Sequence, residues 1–319
     1  MVSMNDDGRP AIHDRLGLSD EVRAALRNGH PVVALESTLI SHGLPYPQNV
    51  AVARASEAAI RASGATPATV AIHDGRILVG LDDAALEALA TAPAGSVMKA
   101  ARPSLAVAIA RGGWAATTVG ATMIAAQAAG IRVFATGGIG GVHRGAFGAS
   151  ATLDVSSDLE ELARTPVAVV CAGPKAILDL PMTLEYLETR GVPVVAIGQD
   201  DVPGFYSTSS GIRAPHVVAD VAEAARLVAT QLGLGLGSGI LLCTPVPVDA
   251  ALPLEQARAA IDRALAEAAA AGIHGPATTP WLLARIAELT NGASLRANTA
   301  LIENDARVAG LLAVALATA

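Results

Sequence analysis

Short runs rich in valine and isoleucine alternate along most of this chain with longer alanine-rich segments of helical periodicity. Six such runs stand at residues 31–38, 68–75, 132–138, 166–173, 192–198 and 238–245. Helical patterns follow the first two, from Val50 to Ala62 and from Asp82 to Leu89. Apolar strands without polar alternation are buried on both faces, which is typical of parallel sheets covered by helices. The pattern predicts an α/β fold with a mainly parallel sheet.

The C-terminal third has a different pattern and predicts one helix after another from Pro253 to Leu316. A chain of 319 residues can form one large α/β domain or two small ones. Since there is no internal repeat or low-complexity linker, we predict an N-terminal segment with a first helix over 1–30 and a single α/β catalytic domain over 31–319. The residues that punctuate these helices are Pro253, Pro276 and Pro280 near helix starts, and Gly272 and Gly292 near helix ends.

Composition excludes several classes of protein. With 52% hydrophobic and 16% charged residues the chain is not disordered. Twenty-two basic against 29 acidic residues and only 3% aromatic residues argue against a nucleic-acid-binding protein. The acidic, polar start MVSMNDDGRP is unlike a signal peptide, and the longest uncharged stretches are diluted by glycine, threonine and proline, so we expect a cytoplasmic protein without a membrane span. Cys171 and Cys243 each end an apolar run and are expected to be buried free thiols.

Two loops after predicted strands carry groups suited to proton transfer or covalent chemistry. Glu36 closes an apolar strand, where partial desolvation raises the pKa of a carboxyl and makes it an acid or base, or else it serves as a turn or cap residue. Lys175 follows another buried strand at an expected helix start, where desolvation and the helix dipole favour the neutral amine. The alternative for Lys175 is a surface lysine whose stem lies along the sheet edge. Lys99 is a second candidate of the same kind.

Two further loops suggest binding of an anion and of a metal ion. Residues 136–145, TGGIGGVHRG, hold four glycines in five positions before His143 and Arg144, so backbone N–H groups could converge on a phosphate; a plain turn is the alternative. Asp154 precedes Ser156, Ser157 and Asp158, which resemble an N-cap and first helical turn. Asp154 could instead hold a hard divalent cation whose other ligands are mostly water.

In chain order, these loops resemble the pseudouridine-5'-phosphate glycosidase family. The resemblance extends from about Val32 to about Asn304, nearly the whole chain, and no single glycine loop could produce it. It is carried by Val33 to Thr38 with Ser41-His42-Gly43, Ala116 to Val119, Val133 to Gly145, Val169 to Gly173, Thr279 to Leu283, Ser294-Leu295 and Asn298.

The resemblance implies a reversible C–C lyase reaction in which pseudouridine 5'-phosphate and water give uracil and ribose 5-phosphate. It implies a metal-dependent enzyme, commonly using Mn²⁺, that forms a homotrimer. By motif, Lys175 is the nucleophile that forms an imine with the opened sugar, Glu36 the general acid and Asp154 the metal ligand. The substrate contacts so implied are Lys99, Val119 and Ser156 to Asp158, with His143 and Asn298 facing the sugar phosphate; we add Thr136, Gly137 and Gly138 of the glycine loop.

Several positions depart from the usual pattern of that family. Pro103 follows Arg102 where Arg-Asp-Leu is usual, Ala176 replaces a serine after the lysine, and Thr244 replaces an asparagine. A Gly-Tyr pair is also missing near Ile197. If these positions shape the base pocket, the aglycone differs from uracil. The alternative function is then a C-glycosynthase that couples ribose 5-phosphate to an aromatic polyketide; a non-catalytic sugar-phosphate-binding protein is the alternative of another class.

Overall fold

The computed structural model describes residues 11–147, 152–273 and 278–318. Its main sheet has eleven strands, and a separate pair joins two short strands. The strands are β1 (Leu16–Leu18), β2 (Val32–Leu35), β3 (Thr66–His73), β4 (Arg76–Val79), β5 (Met98–Ala100), β6 (Ala115–Thr117), β7 (Val133–Ala135), β8 (Val142–His143), β9 (Ala168–Cys171), β10 (Leu178–Asp179), β11 (Val194–Ile197), β12 (His216–Val218) and β13 (Ile240–Cys243).

Twelve α-helices surround these strands in the part of the chain that the structure describes. They are α1 (Asp20–Arg27), α2 (Thr38–His42), α3 (Gln48–Ala62), α4 (Asp83–Ala90), α5 (Leu105–Arg111), α6 (Val119–Ala129), α7 (Ser157–Leu162), α8 (Leu180–Thr189), α9 (Val221–Gly233), α10 (Leu254–Ala270), α11 (Thr278–Leu289) and α12 (Ala293–Ala317).

The six predicted strands are confirmed and lie side by side in the order β3-β2-β7-β9-β13-β11, every neighbouring pair parallel. At one end of this row β3 also pairs with β4 and β6, both antiparallel. Beyond β4 the N-terminal strand β1 forms the sheet edge, and β12 forms the opposite edge. The predicted mainly parallel α/β fold is therefore confirmed.

Successive residues of the central strands contact different layers of the core. Ala34 and Phe134 lie in one apolar cluster with Met123 of α6, whereas Val33 and Val133 lie in another with Leu312 of α12. All six are buried. Because both faces of the sheet are covered, each central strand has to be apolar throughout, as its sequence is.

The predicted helical C-terminal third is confirmed as α10, α11 and α12. Pro253 is the N-cap of α10 and Pro280 lies in the first turn of α11, while Gly272 follows α10 and Gly292 is the N-cap of α12; Pro276 is outside the described residues. Helix α12 crosses the sheet and contacts β2, β7 and β9. Among the described residues, no helix is long and apolar enough to cross a membrane.

Candidate active site

The carboxyl ends of the parallel strands bring the predicted acid and its neighbours together. Glu36 directly follows β2 and Thr136 directly follows β7, the adjacent strand. The Thr136 hydroxyl donates a short hydrogen bond to Oε1 of Glu36. Since strands β2 and β7 are in register, Leu35 opposite Ala135, this contact follows from the sheet itself. The sheet thus fixes the position of the Glu36 carboxyl.

Burial raises the pKa of the Glu36 carboxyl above its usual value. The Lys175 ammonium and the Thr136 hydrogen bond act in the opposite direction, and the Asp158 carboxylate adds to the rise. Part of the Glu36 residue surface is open to the cavity, but the carboxyl lies deep among protein atoms. The net effect of these groups is to favour the protonated form of Glu36 over that of a solvent-exposed carboxyl.

Lys175 follows β9 but not at a helix start, so that part of the sequence prediction was wrong. Its amide donates to the Ile139 carbonyl (3.1 Å) and its carbonyl accepts from the Leu178 amide (3.0 Å), which places Lys175 in a turn before β10. The next helix, α8, begins at Leu180 with Asp179 as its N-cap. No helix dipole therefore acts directly on Lys175, and its orientation comes from the turn that ties it to the glycine loop.

Lys99 lies in β5, near enough to Glu36, Asp158 and Lys175 for their charges to act on it. Burial among the cavity walls and the Lys175 ammonium lower the pKa of Lys99, while the two carboxylates raise it. The residue as a whole is exposed, and the surrounding solvent weakens these effects. Lys99 is thus an accessible cation at the edge of the site.

These groups line a cavity of about 300 Å³. Of the residues predicted to act on or bind the substrate, the cavity brings together seven: Glu36, Lys99, Thr136, Gly137, Gly138, Lys175 and Asn298. The other lining residues, to none of which the sequence analysis assigned a binding or catalytic role, are Leu35, Thr38, Leu39, His42, Gly43, Ala53, Ser56, Thr69, Ala135, Phe205, Thr279, Pro280, Leu283 and Ile302. A small, largely apolar chamber with a few convergent polar groups is typical of an enzyme site.

Two close contacts explain why glycine is needed at Gly137 and Gly138. A Cβ atom at Gly137 would lie 2.6 Å from Ile302 of α12, and one at Gly138 would lie 2.5 Å from the Phe205 ring. Phe205 itself is buried and has a φ of 65°, a left-handed conformation that is rare for an aromatic residue. Its ring and α12 thus cover the glycine loop. No sequence motif indicates this role for Phe205, because only the fold brings residue 205 next to residue 138.

Beyond Gly138 the glycine loop does not form an anion cradle, which corrects that prediction for this part of the loop. The amide of Ile139 donates to the Gly173 carbonyl (3.2 Å), that of Gly140 to Asp158 (3.0 Å) and that of Val142 to the Thr183 hydroxyl (3.0 Å). These N–H groups are therefore already used within the protein. Arg144 forms an ion pair with Asp262 at 2.7 Å.

Asp154 and His143 lie together but do not line the cavity. The His143 amide donates to the Asp154 carbonyl (3.0 Å), and Nδ1 of His143 is 4.0 Å from Oδ2 of Asp154. The Asp154 side chain is 51% exposed. Within the described parts of the chain, no three His, Cys, Asp or Glu residues are grouped as metal ligands. An ion at Asp154 would thus keep mostly water ligands.

Residues 156–158 form the N-cap and first turn of α7. The Ser156 hydroxyl accepts from the Asp158 amide (3.2 Å), and Ser157 is the first helical residue. Asp158 is buried, and its two oxygens accept from the amides of Gly120 (3.1 Å) and Gly140 (3.0 Å). Val119, also buried, is the first residue of α6. Asp158 therefore joins the start of α6 to the glycine loop beside the cavity.

The four departures from the family pattern lie outside the lining of this cavity, as described here: Pro103, Ala176, Ile197 and Thr244. Arg102, before Pro103, forms a bidentate ion pair with the buried Glu161. Thr244 is buried and lies 3.4 Å from the Asn304 side-chain amide, and Ala176 lines a different cavity that shares Lys175. The expectation that these positions alter the base pocket is not supported by the geometry.

Comparison with known proteins gives consistent matches over nearly the whole chain. The profile of the family described as indigoidine synthase A like protein matches residues 21–315. A pseudouridine-5'-phosphate glycosidase of Solibacter usitatus is 56% identical over 301 residues, covering 94% of this chain and 99% of that protein. One of Paracoccus denitrificans is 55% identical over 303 residues, covering 95% and 99%.

A solved structure with the same fold is the prealnumycin C-glycosynthase in complex with ribulose 5-phosphate. The two structures superpose with a TM-score of 0.87 and are 38% identical in sequence; the match covers 95% of this chain and 97% of the synthase chain. An indigoidine synthase A-like protein of Thermotoga maritima has a TM-score of 0.84 at 32% identity, covering 96% and 97%. Both similarities extend over the strands and helices that build the cavity.

Proposed function

The chain belongs to the indigoidine synthase A-like protein family, and on that basis we propose that it is a pseudouridine-5'-phosphate glycosidase. The observation that carries the proposal is a carboxyl with a raised pKa, Glu36, and a lysine, Lys175, in one small cavity. Its relatives of that name are more than 50% identical over almost their whole length, whereas the C-glycosynthase is 38% identical. Glycosidase activity is therefore favoured over the synthase alternative.

The chemistry requires both of these groups. The uracil of pseudouridine is bonded through carbon, so it leaves only if that carbon receives a proton while electrons are supplied from the sugar. A neutral lysine amine that adds at C1' supplies them: the C1'–O4' bond breaks, O4' takes the proton that the amine loses, and the sugar is opened as a C1' amine. The nitrogen lone pair then forms the iminium at C1' as the C1'–C5 bond breaks and C5 takes the proton of the acid. Water hydrolyses the iminium, so one water is consumed and uracil and ribose 5-phosphate are released. Reversal of the same steps forms the C-glycoside.

Glu36 is suited to protonate the base carbon, because burial raises the pKa of its carboxyl and so favours the protonated form. The positive charge of the Lys175 ammonium limits this rise in the pKa of Glu36. Lys175 carries the proposed imine. Its turn connects Lys175 to the glycine loop, and the glycine loop carries Thr136, which holds Glu36. The acid and the nucleophile are thus oriented by one connected backbone unit.

The substrate's sugar phosphate is assigned to the polar side of the cavity. Lys99 is the accessible cation there, and Asn298 of α12 offers an uncharged donor and acceptor. The apolar side, formed by Leu39, Phe205 and Leu283, suits the flat base. The family resemblance keeps five further residues as proposed substrate contacts, all of them outside the cavity lining: Val119, His143, Ser156, Ser157 and Asp158. Asp158 contacts the glycine loop through the Gly140 amide and the start of α6 through the Gly120 amide.

A divalent metal ion, Mn²⁺ or a similar hard cation, is proposed at Asp154. The residues present fit a weakly held ion. The Asp154 carboxylate is half-exposed, and the described parts of the chain contain no group of three His, Cys, Asp or Glu residues that could hold a metal. When bound, the ion would supply positive charge at the Asp154 carboxylate and polarise the water molecules that complete its coordination. Dialysis of the wild-type protein against EDTA should lower the rate of cleavage, and added Mn²⁺ should restore it. In Asp154→Ala the rate should respond neither to EDTA nor to Mn²⁺. Full activity in EDTA would remove the metal from the account.

A cytoplasmic location and a homotrimeric state also stay predictions. The family resemblance implies the trimer. Sedimentation of the purified protein would test the trimer directly. A monomer at micromolar concentration would contradict it.

The proposed function is tested by following pseudouridine 5'-phosphate with the purified wild-type chain. We expect uracil and ribose 5-phosphate in equal amounts, and coupling of ribose 5-phosphate to uracil in the reverse direction. Lys175→Ala, which removes the amine, is the matched inactive control. Absence of cleavage together with coupling to an aromatic polyketide acceptor would favour the synthase, and ribose 5-phosphate binding without turnover would favour a binding protein.

A further inference from the structure

One histidine of the cavity has no place in the mechanism above. His42 ends helix α2 and lines the cavity that contains Glu36, Lys99 and Lys175. Its Nε2 atom is buried and has no hydrogen-bond partner among the described residues. Leaving a buried polar atom unpaired costs free energy, so an atom of this kind facing a ligand cavity points to a partner supplied by the ligand.

The position of His42 is fixed by contacts at both ends of α2. The Thr38 hydroxyl donates to the Thr117 carbonyl (2.7 Å), and the Asn49 side-chain amide donates to the Ile40 carbonyl (2.7 Å). The helix ends at Gly43, whose amide donates to the Leu39 carbonyl and where a Cβ would lie 2.8 Å from that same oxygen. His42 is therefore carried on a short helix that is held in place, as a binding residue must be.

The cavity has few cations for a phosphate dianion. Among its lining residues only Lys99 and Lys175 are lysines, and none is an arginine. Lys175 must be neutral to attack the sugar, so it cannot serve the phosphate at that step. Glu36 adds a potential negative charge. Among the lining residues Lys99 is then the remaining cation for two negative charges, so a further hydrogen-bond donor beside it would stabilise the bound phosphate.

We propose that His42 is a second phosphate-binding residue, whose Nε2–H hydrogen-bonds the sugar phosphate beside Lys99. The inference rests on the proposed function for the identity of the ligand. Geometry supports it through the shared cavity and the unpaired Nε2 atom. Electrostatics agree, because burial and the Lys99 charge both lower the pKa of His42. An anion between the two residues would offset the effect of Lys99 and strengthen the donor.

The test measures binding without chemistry. Ribitol 5-phosphate lacks the aldehyde and cannot form an imine, so its affinity, measured by calorimetry, reports the phosphate contacts alone. His42→Phe keeps a ring of similar shape and removes both nitrogens, and His42→Gln keeps an N–H donor. We expect His42→Phe to weaken ribitol 5-phosphate about tenfold or more, as is usual for a hydrogen bond to a charged group, and His42→Gln to recover part of that loss.

Matched controls separate this inference from the proposed function. His216→Gln changes an exposed histidine at the far edge of the sheet and should bind like wild type. Uracil affinity should be unchanged in His42→Phe. Equal affinity of wild type and His42→Phe for ribitol 5-phosphate, or a loss for uracil instead, would overturn the role of His42 while leaving the glycosidase proposal intact. If wild type binds neither ribitol 5-phosphate nor ribose 5-phosphate, both proposals fail.

Discussion

Glu36 has to hold a proton at the same pH at which the Lys175 amine reacts, and the site meets the first requirement by burial. Desolvation raises the pKa of Glu36, while Lys175 and Thr136 limit the rise. A carboxyl whose pKa is raised is protonated below that pKa and loses its proton above it. A general acid of this kind gives a rate that falls as the pH increases through its pKa.

Glu36→Gln is therefore expected to reduce kcat by about 10² to 10⁴-fold, the usual contribution of a positioned acid. The amide keeps the shape of the side chain, so ribose 5-phosphate should still bind with an affinity within a few fold of wild type. The residual kcat of Glu36→Gln should not show the decrease at high pH that the wild-type enzyme shows. Steady-state kinetics across pH together with calorimetry check this, and equal losses in kcat and in binding would make Glu36 a positioning residue instead.

Asp305 shows the same physical effect at a place that takes no part in the proposed reaction. It lies in α12, fully buried, and its carboxyl oxygens have no hydrogen-bond partner among the described residues. The nearby Ala172 amide already donates to the Gly137 carbonyl at 3.1 Å. Burial and the neighbouring Cys171 raise the pKa of Asp305 well above its usual value. Folding therefore disfavours the ionised form of this carboxyl relative to the unfolded chain.

The sign of the resulting pH dependence follows from this difference. Below the pKa of Asp305 in the unfolded chain, about 3.9, this residue makes its largest contribution to the free energy of unfolding. As the pH rises from there toward the pKa of Asp305 in the folded protein, that contribution decreases by about 1.4 kcal/mol per pH unit. Asp305→Asn cannot titrate, so it should gain stability relative to wild type between pH 5 and 7. Urea unfolding at both pH values measures the gain. Asp20→Asn, at a 99% exposed side chain, is the control that should follow wild type.

At the scale of elements, the site depends on loops joined by single residues. Asp158 of α7 accepts one amide from the start of α6 and one from the glycine loop, while Thr136 of that loop holds Glu36. Arg102 and the fully buried Glu161 connect the segment after β5, which carries Lys99, to the same helix. Helix α7 therefore positions several parts of the cavity although it is not among the lining elements.

Asp158→Asn should destabilise the fold by about 1 to 3 kcal/mol, because one backbone N–H would then face an amide N–H instead of an oxygen. The free energy of unfolding in urea gives this value. The exposed Asp83 of α4 provides the comparison, since Asp83→Asn affects only a surface ion pair with Arg54 at 3.7 Å and should change stability by less than about 0.5 kcal/mol. Similar small effects for both variants would mean that the two loops are held by other contacts.

The central strands were predictable because each is a continuous apolar run, and the loops after them could be searched for polar groups. The short strands β1, β4, β5, β6 and β12 were missed, because they lie outside the six Val- and Ile-rich runs from which the central strands were predicted. One signal was available and not used: Asp74-Gly75 stands between β3 and β4, with φ values of 48° and 70°, and this dipeptide is typical of a two-residue hairpin turn. The hairpin explains the antiparallel pair β3 and β4.

Other parts of the site could not be read from local sequence. Phe205 and Ile302 reach Gly138 and Gly137 from more than 60 residues away, and only tertiary packing brings them there. The turn at Lys175 differed from the expected helix start because Pro174 bridges to Ile139 and the chain forms β10 before α8 begins. His42 was part of a recognised motif, yet its unpaired nitrogen became visible only in the folded cavity.

At the scale of the whole molecule, the mainly parallel sheet brings the carboxyl ends of β2, β7 and β9 to one edge, and the C-terminal helices close the space above it. Helix α12 supplies Asn298 and Ile302, and α11 supplies Thr279, Pro280 and Leu283. The departures at Pro103, Ala176, Ile197 and Thr244 lie outside this chamber. The molecule therefore combines an acid, a lysine and a flat apolar wall in one closed site, as cleavage of a C-glycoside requires.

The most direct test of the central claim traps the bond that the account assigns to Lys175. Wild-type protein turning over pseudouridine 5'-phosphate is treated with borohydride, digested and mapped by mass spectrometry. The account predicts a reduced pentose phosphate adduct on the peptide that carries Lys175, with uracil released in parallel and no adduct in Lys175→Ala. An adduct on Lys99 instead, or sustained cleavage by Lys175→Ala, would contradict it.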